Sequence, residues 1–417
     1  MCIRDRSTII NLPLSEIYEV ATFYAHFNIV KDSKDYNPVN VVRVCESLTC
    51  ELFGAHKLLQ DIKKLENKNI KVVPGPCMGR CNVAPTVCVG KNYVDVANFD
   101  KVKKTIDEEN FDPFIPDYIN LSSYKKKGGY EIANKIKNGV ISKKQVLDSL
   151  NESGLKGKGG AGFPTGKKWE IVSNYNGKKY VAVNGDEGEP GTFKDRSYLE
   201  SDPHRFLEGA LIASYFINAQ KVYIYMRDEY PTVIKILLDE INKMEDEEII
   251  PKDFFIVRRG AGAYICGEES AMIESIEGKR GLPRHRPPYV AEIGLFGCPT
   301  LTNNLETLFW VRDIIEKGAK WFAEKGSNGN KGFHSFSVSG RVKNPGVKVA
   351  PAGITIQQLI DEYCDGMADG HTFKGYLPGG ASGGILPAAM NDIPLDYGSK
   401  ELMDAGCFLG SAAVVVL

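Results

Sequence analysis

The chain has 417 residues, of which 43% are hydrophobic and 25% are charged, and its formal net charge at pH 7 is -1. This length is enough for two or more domains that each bury a core. A net charge close to zero argues against nucleic acid or an anionic membrane surface as the partner. The sequence has no apolar run long enough to span a bilayer, and no apolar signal segment follows the charged residues 1–6, which look unrelated to the rest.

The first part of the chain is predicted to form a small thioredoxin-like domain. Residues 13–30 have helical periodicity, as if they ended a helical segment whose beginning is missing. The later elements follow in the order β-α-β-β-β-α, at residues 41–44, 51–65, 70–73, 86–89, 93–96 and 102–109. That order within about 100 residues is typical of a thioredoxin-like α/β domain.

Four of the ten cysteines cluster in this first domain, with the spacings Cys45-x4-Cys50 and Cys77-x3-Cys81. Each pair follows a predicted strand, so both pairs can meet at one end of a sheet and bind an iron–sulfur cluster or Zn²⁺. We favour a 2Fe–2S cluster, because structural zinc usually binds cysteines separated by two residues. Zinc and uncoordinated thiols remain alternatives, and Cys88 is predicted to be a core thiol. The clustering favours a reducing compartment over a disulfide framework.

The strongest signal is a glycine-rich stretch at residues 153–169, SGLKGKGGAGFPTGKKW, which follows a predicted linker at residues 111–128. Closely spaced glycines expose backbone N–H groups, and the lysines and a following helix add positive charge, so the stretch suits a phosphate-bearing cofactor. Its spacing is not that of a P-loop. It fits G-x-G-x-x-G loosely at residues 157–162, but no clear strand precedes it, which weakens a Rossmann interpretation. The alternative is a flexible linker, in which Phe163 and Trp169 would be costly.

Two further loops are predicted to border a ligand site. A strand at residues 179–184 runs into the acidic loop GDEGEPGT at residues 185–192, and loops at strand ends are where α/β folds bind ligands. A second glycine-rich loop at residues 259–270 opens a helix with Glu268 and Glu269. The alternatives are an acidic surface turn for the first loop and, for the second, acidic residues that simply favour the helix dipole.

The alternation of strands and helices after residue 179 predicts a mostly parallel, helix-covered sheet. Asn303 and Asn304 precede the next helix, where they can cap it or bond to a bound cofactor. From residue 332 the pattern is strand, strand, helix, strand, strand, which predicts a separate α+β domain of ubiquitin-like size. The glycine run at residues 378–384 is predicted to be a tight turn packed against the preceding domain. The chain stops within an apolar strand, so we expect a truncated end.

Four motifs in a fixed order carry a family resemblance: SGLKGKGGAGFPTGKKW, VNGDEGEPGTFKDR, YICGEES and PTLTNNLET. Together they resemble the flavin-carrying subunit of the NADH-oxidising module of respiratory complex I. The same subunit type occurs in NAD-dependent formate dehydrogenases and hydrogenases. The resemblance covers roughly residues 128–417. VATFYAHF and the four clustered cysteines resemble the partner subunit, a thioredoxin-like 2Fe–2S protein, so the chain is similar to a fusion of the two that is truncated at both ends.

The resemblance implies an α/β multidomain fold. A thioredoxin-like 2Fe–2S domain would cover residues 7–110 and be incomplete at its start, and an α/β FMN/NADH-binding domain would cover residues 129–330. A ubiquitin-like (SLBB-type) α+β domain, incomplete at its end, would cover residues 331–417. The family continues into a helical domain that binds a 4Fe–4S cluster. That domain is expected to be missing here, because its cysteine motif is absent and Cys407 is isolated.

The resemblance also implies the site residues. Those that would bind FMN and NAD(H) are Gly157, Gly159, Gly160, Phe163, Lys168, Asn184, Asp186, Glu187, Glu189, Tyr264, Gly267, Glu268, Glu269, Asn303 and Asn304. Glu189 and Glu269 would position the nicotinamide and Lys168 would stabilise reduced flavin, so these three are the implied catalytic residues. Phe163 would stack on the nucleotide, and Tyr289 sits where the family has an aromatic residue near the adenine. The implied cluster ligands are Cys45, Cys50, Cys77 and Cys81.

The implied function is that of an NADH dehydrogenase (diaphorase) module. It would move a hydride between NAD(H) and FMN, and single electrons between FMN and iron–sulfur clusters. The segments PAGITIQQLIDEYCDGM and GYLPGGASGGILPA resemble the formate dehydrogenase β-subunit more than the complex I branch. The expected partners are other iron–sulfur subunits, without nucleic acid or direct membrane insertion, in the cytoplasm or at the inner membrane through a complex. The alternative is a non-catalytic assembly subunit that keeps the fold.

Overall fold

The computed structural model describes residues 3–27, 29–30 and 40–417. Over these residues the chain forms three separate sheets, of four, four and five strands in chain order. Each sheet packs against a hydrophobic cluster of its own, so the predicted α/β multidomain fold is confirmed. Within the described ranges, we find no helix that is both long and apolar enough to cross a membrane.

The N-terminal segment is helical over a different range from the one that its sequence predicts. It forms the helices α1 (Ile3–Ile10) and α2 (Leu14–Phe23). Helix α2 ends at Phe23 because Tyr24 is extended, with φ −97° and ψ 123°, whereas the predicted helix ran to residue 30; residue 28 lies outside the described residues. The Tyr24 hydroxyl donates to the Lys279 carbonyl at 2.7 Å, and its oxygen lies 2.8 Å from Ser275 Oγ. This segment therefore packs against the domain of the second sheet.

The first sheet has the predicted thioredoxin-like order of elements. These are β1 (Asn40–Cys45), α3 (Leu48–Leu52), α4 (Ala55–Ile62), β2 (Ile70–Gly75), β3 (Val87–Val89), β4 (Asn92–Val94) and α5 (Phe99–Asp107). The strand order is β2-β1-β3-β4, with β1 parallel to β2 and antiparallel to β3. Val42 and Val44 alternate toward the core of this domain and are fully buried. Strand β1 ends at Cys45 and β2 ends just before Cys77, as predicted for the two cysteine pairs.

Four helices connect the first sheet to the second. They are α6 (Leu121–Lys125), α7 (Glu131–Lys137), α8 (Lys143–Ser153) and α9 (Thr165–Ser173). A capping box between Ser142 and Gln145 begins α8, and Gly154, with a left-handed φ of 68°, ends it. The glycine-rich stretch therefore starts at the end of one helix and runs into the N-terminus of the next.

The second sheet is parallel and covered by helices, as predicted. Its elements are β5 (Lys179–Gly185), α10 (Lys194–Ser201), α11 (Pro203–Ile217), β6 (Ala219–Met226), α12 (Pro231–Asp246), β7 (Phe255–Arg259), α13 (Glu269–Ile276), β8 (Thr300–Asn304) and α14 (Leu305–Lys317). The strand order is β7-β6-β5-β8, and every pair is parallel. The chain moves outward from β5 to β7 and then returns to the other side of β5. The carboxyl ends of β5 and β8 thus flank a topological switch point, where such sheets bind ligands.

The third sheet belongs to a small α+β domain, which confirms that prediction. Helix α15 (Ala319–Ala323) still packs against α8 and α14 of the preceding domain. The elements of the third domain are β9 (Phe333–Gly340), β10 (Gly346–Pro351), α16 (Ile356–Gln358), β11 (Gly375–Leu377), β12 (Leu386–Pro387), α17 (Lys400–Asp404) and β13 (Ala413–Val416). The strand order is β10-β9-β13-β11-β12, and β9 and β13 are parallel. The short strand β12 was not predicted. The glycine run at residues 378–384 does contact the preceding domain, because the Ser382 N–H donates to Glu189 Oε1 at 2.8 Å.

Candidate functional site

The glycine-rich loop lies against the carboxyl end of β8. The Gly157 N–H donates to the Phe163 carbonyl at 2.8 Å, which closes the loop. A Cβ on Gly159 would lie 3.2 Å from the Cβ of Asn304, so a glycine allows the loop to approach the strand end closely. The loop therefore presents backbone, rather than side chains, at the switch point.

Two lysines of this loop, which the sequence suggested would add positive charge for a phosphate-bearing cofactor, contact another domain instead. Lys158 is buried, and its Nζ donates to the Phe333 carbonyl at 2.5 Å and lies 3.0 Å from His334 Nδ1. Burial lowers the pKa of Lys158 to about 8. Lys156 Nζ pairs with Asp396 at 3.0 Å. Both lysines tie the loop to the domain of the third sheet, and a local pattern cannot reveal partners so distant in the chain.

Lys168, on α9, faces the acidic residues of the site. Its Nζ lies 3.2 Å from Glu269 Oε2 and 2.8 Å from Thr302 Oγ1. Burial raises the pKa of Glu269, but the charge of Lys168 and the hydrogen bonds from Thr302 and Lys168 outweigh it and hold that pKa below its ordinary value. The ion pair of Lys168 and Glu269 therefore lies at the crevice between the carboxyl ends of β5 and β8, near the N-termini of α9 and α13.

Asn184 and Asp186 lie where β5 ends. Asn184 Nδ2 donates to the Gly267 carbonyl at 2.8 Å, and the Asp186 N–H donates to Asn184 Oδ1 at 3.1 Å. Asp186 Oδ2 is buried and accepts no hydrogen bond from any described residue. Burial raises the pKa of Asp186 to about 7. Because buried polar atoms are normally paired, this acceptor fits a donor on a bound ligand.

Glu187 is buried and holds the start of α10. Its carboxylate accepts hydrogen bonds from the backbone N–H groups of Asp195 at 2.9 Å and Arg196 at 3.3 Å. The Tyr230 hydroxyl donates to the same carboxylate at 2.9 Å. Burial raises the pKa of Glu187 to about 7. The sequence did not indicate these partners.

Glu189 is accessible and lies beside aromatic rings. Besides the bond from Ser382, its carboxylate accepts one from the Tyr264 hydroxyl. Tyr264 is 62% exposed, and Phe163 and Tyr289 are also exposed. Exposed rings around a crevice suit the planar bases of a nucleotide.

Glu268 caps helix α13, whereas its neighbour Glu269 faces Lys168. The Glu268 carboxylate accepts from the backbone N–H groups of Ser270 at 2.9 Å and Ala271 at 3.0 Å. Its other oxygen pairs with Arg286, which also lies 3.4 Å from Glu269. The alternative in which the acidic residue stabilises the helix N-terminus therefore applies to Glu268. The sequence analysis did not identify Arg286 as a site residue, although the basic, proline-rich segment that contains it could have indicated one.

Asn304 caps helix α14, and Asn303 is held by a tryptophan. Asn304 Oδ1 accepts from the Glu306 N–H at 3.0 Å, and its Nδ2 donates to Asp195 Oδ2 at 2.7 Å. Asn303 Oδ1 accepts from Trp169 Nε1–H at 3.0 Å. The capping alternative thus holds for Asn304. Sequence reasoning missed Asp195 at this site, because nothing in its local pattern marks a buried acid.

The four clustered cysteines meet in the domain of the first sheet. All four thiols are buried and free. The Sγ atoms of Cys77 and Cys81 lie 3.5 Å apart, and the Cys45 thiol contacts those of Cys50 and Cys77. In the described part of the chain, no three His, Cys, Asp or Glu side chains are grouped as the ligands of a single metal ion. Four thiols that converge at one end of a sheet fit the four cysteine thiolates that would hold a 2Fe–2S cluster.

The acidic loop reaches from the crevice to the cysteines. Just after this loop, Phe193 packs against Cys77 and Cys81, and Arg196 Nε donates to the Gly79 carbonyl at 2.8 Å. One segment between β5 and α10 therefore contacts both candidate sites.

We expect an Asp186→Asn variant of the flavin-free chain to gain stability over the unsubstituted chain as the pH rises. Because the pKa of Asp186 is raised from 3.8 to about 7, the folded chain keeps a proton that the unfolded chain has lost, so this group's contribution to stability falls as the pH rises to about 7. The variant lacks this loss. Its advantage in unfolding free energy should grow by about 1–3 kcal/mol between pH 5 and pH 8. Urea unfolding at both pH values measures it.

The exposed Asp246 on α12 provides the control for loss of a carboxylate, and Asp246→Asn is unfolded in urea at the same two pH values. The low pKa of His334, about 4, adds a contribution of the opposite sign, but it is common to all the chains and cancels in the comparison. An advantage of Asp186→Asn that stays constant or shrinks with pH would contradict the assignment.

Fold and site together define a class of redox protein, with a ligand crevice at a parallel sheet joined to a four-cysteine domain. Two family models match the chain. Residues 150–313 match the Nuo51 FMN-binding domain. Residues 2–110 match the thioredoxin-like [2Fe-2S] ferredoxin.

Similar proteins agree with these matches. An F-type subunit of the NADH-quinone oxidoreductase of Rhizobium meliloti (strain 1021) is 42% identical over 312 residues, which are 73% of each chain. The F-type subunit of the same enzyme in Aquifex aeolicus (strain VF5) is 41% identical over 310 residues, 72% of this chain and 70% of that one. The crystal structure of an NAD+-reducing [NiFe]-hydrogenase in the air-oxidized state matches with a TM-score of 0.84 and 27% identity, over 100% of this chain and 74% of that one.

The chain belongs to the family of FMN-binding subunits that includes the F-type subunit of NADH-quinone oxidoreductase. It is an FMN-dependent NADH oxidoreductase module with a thioredoxin-like 2Fe–2S domain in the same chain, which confirms the class implied by the sequence motifs. Its cofactors are accordingly FMN and a 2Fe–2S cluster, and NAD(H) binding is consistent with the family.

Proposed function

We propose that the crevice between β5 and β8 binds FMN and NAD(H), and that electrons pass between this site and a 2Fe–2S cluster on Cys45, Cys50, Cys77 and Cys81. The observation that supports this most directly is the segment that follows β5, because Asp186 lies at the crevice and Phe193 packs against Cys77 and Cys81. When bound, FMN supplies the conversion between hydride transfer and single-electron transfer. The chain itself binds, orients and shields the reactants.

The proposed FMN site combines a bare backbone loop, one cation and one unpaired acceptor. Its residues are Gly157, Gly159, Gly160, Lys168, Asn184, Asp186, Glu187, Tyr264, Gly267, Glu268, Asn303 and Asn304. Lys168 would stabilise the added negative charge of reduced flavin, because its ammonium group lies at the crevice, where it pairs with Glu269. Glu187 and Glu268 would act by fixing the loops, since backbone N–H groups already occupy their carboxylates.

The proposed NAD(H) contacts are Phe163, Glu189 and Glu269, with Tyr289 near the adenine. Phe163 and Tyr289 are exposed rings that can stack on bases, and Glu189 is an accessible carboxylate that can accept bonds from ribose hydroxyls. With Lys168, the two glutamates remain our candidate catalytic residues, as groups that position the nicotinamide and stabilise the reduced flavin.

The relatives carry the names of subunits, so we propose that this chain works in a multisubunit oxidoreductase with other iron–sulfur subunits. NADH-quinone oxidoreductase and NAD+-reducing [NiFe]-hydrogenase are the enzymes named among them. A formate dehydrogenase partner stays a prediction from the sequence, as do a cytoplasmic location and the domain bounds 7–110, 129–330 and 331–417. The free thiols of the described cysteines support a reducing compartment.

The proposed function is tested by an anaerobic absorbance spectrum of the purified chain before and after addition of NADH. We expect bleaching of the flavin together with loss of the broad iron–sulfur absorbance. Bleaching of the flavin alone would contradict the electron path to the cysteines. A colourless protein would contradict both cofactor sites and favour the alternative of an assembly subunit.

A Glu189→Gln variant should weaken NADH binding and keep the flavin. The neutral amide replaces a charge-assisted acceptor, so we expect the Kd for NADH to rise about tenfold. Titration of the anaerobic chain with NADH measures this, and the flavin spectrum reports retention. Glu170→Gln, at an exposed position on α9, is the control and should change neither quantity. An unchanged Kd in the Glu189 variant would remove Glu189 from the nucleotide site.

A further inference from the structure

One buried arginine contacts both the acidic loop and the cysteine loop. Arg227 follows β6 and is 4% exposed. Its Nη1 donates to the Glu187 carbonyl at 2.6 Å, and its Nη2 donates to the Cys77 carbonyl at 2.6 Å. Its guanidinium also lies over the Tyr230 ring, 5.1 Å from the centroid. Each arm of the guanidinium therefore holds the backbone of one of the two candidate cofactor sites.

The cysteine loop, residues 77–81, packs tightly against Tyr230, the ring that Arg227 also contacts. A Cβ on Gly79 would lie 2.1 Å from the Tyr230 hydroxyl, so the turn between Cys77 and Cys81 rests directly on that ring. The counter-ion of Arg227 is Glu229, whose Oε2 lies 3.3 Å from Arg227 Nε. Glu229 Oε1 in turn lies 3.7 Å from His26 Nε2. The positive charge of Arg227 thus lies at Cys77 and is paired with the Glu229 carboxylate, and the buried Asp186 carboxylate also faces it.

A buried cation has a predictable effect on a metal cluster. Reduction adds one negative charge to the cluster, and in a water-poor interior a nearby guanidinium stabilises that charge. Net charge, hydrogen bonds and solvent exposure are the quantities by which a protein sets the reduction potential of an iron–sulfur cluster. A cation at Cys77 therefore raises the potential, and an uncompensated Glu229 would lower it.

We propose that Arg227 is a positioning residue that raises the reduction potential of the 2Fe–2S cluster while it fixes the cysteine loop against the flavin-binding loop. This inference rests on the proposed function, since it assumes the cluster on the four cysteines. It adds a role for a residue of the flavin-binding domain in the electrochemistry of the thioredoxin-like domain. It also explains why a costly buried charge lies between the two sites.

The test is a redox titration of the full chain, followed by the EPR signal of the reduced cluster. Arg227→Gln and Arg227→Met should lower the ratio of reduced to oxidised cluster at a fixed potential about tenfold, which is about 59 mV for a one-electron couple. Arg227→Lys should restore most of that ratio. Glu229→Gln should shift the ratio in the opposite direction, which keeps the proposal testable if the Arg227 variants fail to fold.

Arg196 is the matched control, because it is also paired with a glutamate, Glu200 at 2.7 Å, but holds the same loop through the Gly79 carbonyl rather than through Cys77. Arg196→Met should disturb the packing with a much smaller change in potential. Equal shifts in the Arg196 and Arg227 variants, or no shift in Arg227→Gln and Glu229→Gln, would overturn the proposal. Absence of any cluster from the unsubstituted chain would instead overturn the proposed function.

Discussion

A Cys77→Ser variant is expected to lose the 2Fe–2S spectrum and keep the flavin. The Cys77 thiol lies 3.5 Å from that of Cys81 and contacts that of Cys45, so it stands at the centre of the cysteine cluster. A serine hydroxyl stays protonated where a thiol gives a thiolate ligand, so cluster content should fall about tenfold or more. Iron and sulfide analysis and the visible spectrum measure the loss. Addition of NADH should still bleach the flavin.

Cys88→Ser provides the matched control. Cys88 is also buried in the same domain, and its thiol donates to the Gly90 carbonyl at 3.4 Å. Cluster content in this variant should stay close to that of the unsubstituted chain. Equal loss in both variants would mean that the domain had unfolded, and full retention in Cys77→Ser would exclude Cys77 as a ligand.

Much of the fold was predictable because its signals are local. The alternation of apolar strands and helices indicated the parallel second sheet, and the short strands near the cysteines indicated the thioredoxin-like order. The end of α2 was predicted wrongly, because the aromatic residues that continue its pattern include Tyr24, whose hydroxyl bonds to Ser275 and Lys279 far along the chain. Helical periodicity cannot distinguish a side chain on a helix face from one that anchors an extended segment.

The site was predictable in outline and not in its contacts. Glycines and acids in the motifs marked the loops, but the partners of the charged groups are set by tertiary structure. Lys158 illustrates this, since its position suggested a phosphate contact and its ammonium group lies instead at Phe333 and His334. Arg227 shows the reverse, because an ordinary arginine after a strand proves to join two loops. Which cation faces a ligand depends on packing that no spacing reveals.

A Lys194→Met variant should show a large loss of stability. Lys194 is buried, and its Nζ lies 2.9 Å from Asp195 and 3.0 Å from Glu306. Burial lowers its pKa, but the charges of Asp195, Glu306 and Glu187 outweigh this and raise it well above the ordinary value. Methionine fills the space and leaves two buried carboxylates without their cation, so the unfolding free energy should fall by about 3–5 kcal/mol. Urea unfolding of the flavin-free chain measures the change.

Lys235→Met is the matched control, because Lys235 makes the same kind of ion pair on the surface, 3.4 Å from Asp239. An exposed pair of this kind contributes about 0–1 kcal/mol, so the control should stay close to the unsubstituted chain. The Lys194→Met substitution should also disturb the crevice, because Asp195 accepts a hydrogen bond from Asn304 beside the glycine-rich loop. We therefore expect weaker flavin retention in this variant alone. Equal stability of the two variants would show that the Asp195 and Glu306 carboxylates take up protons or water without cost.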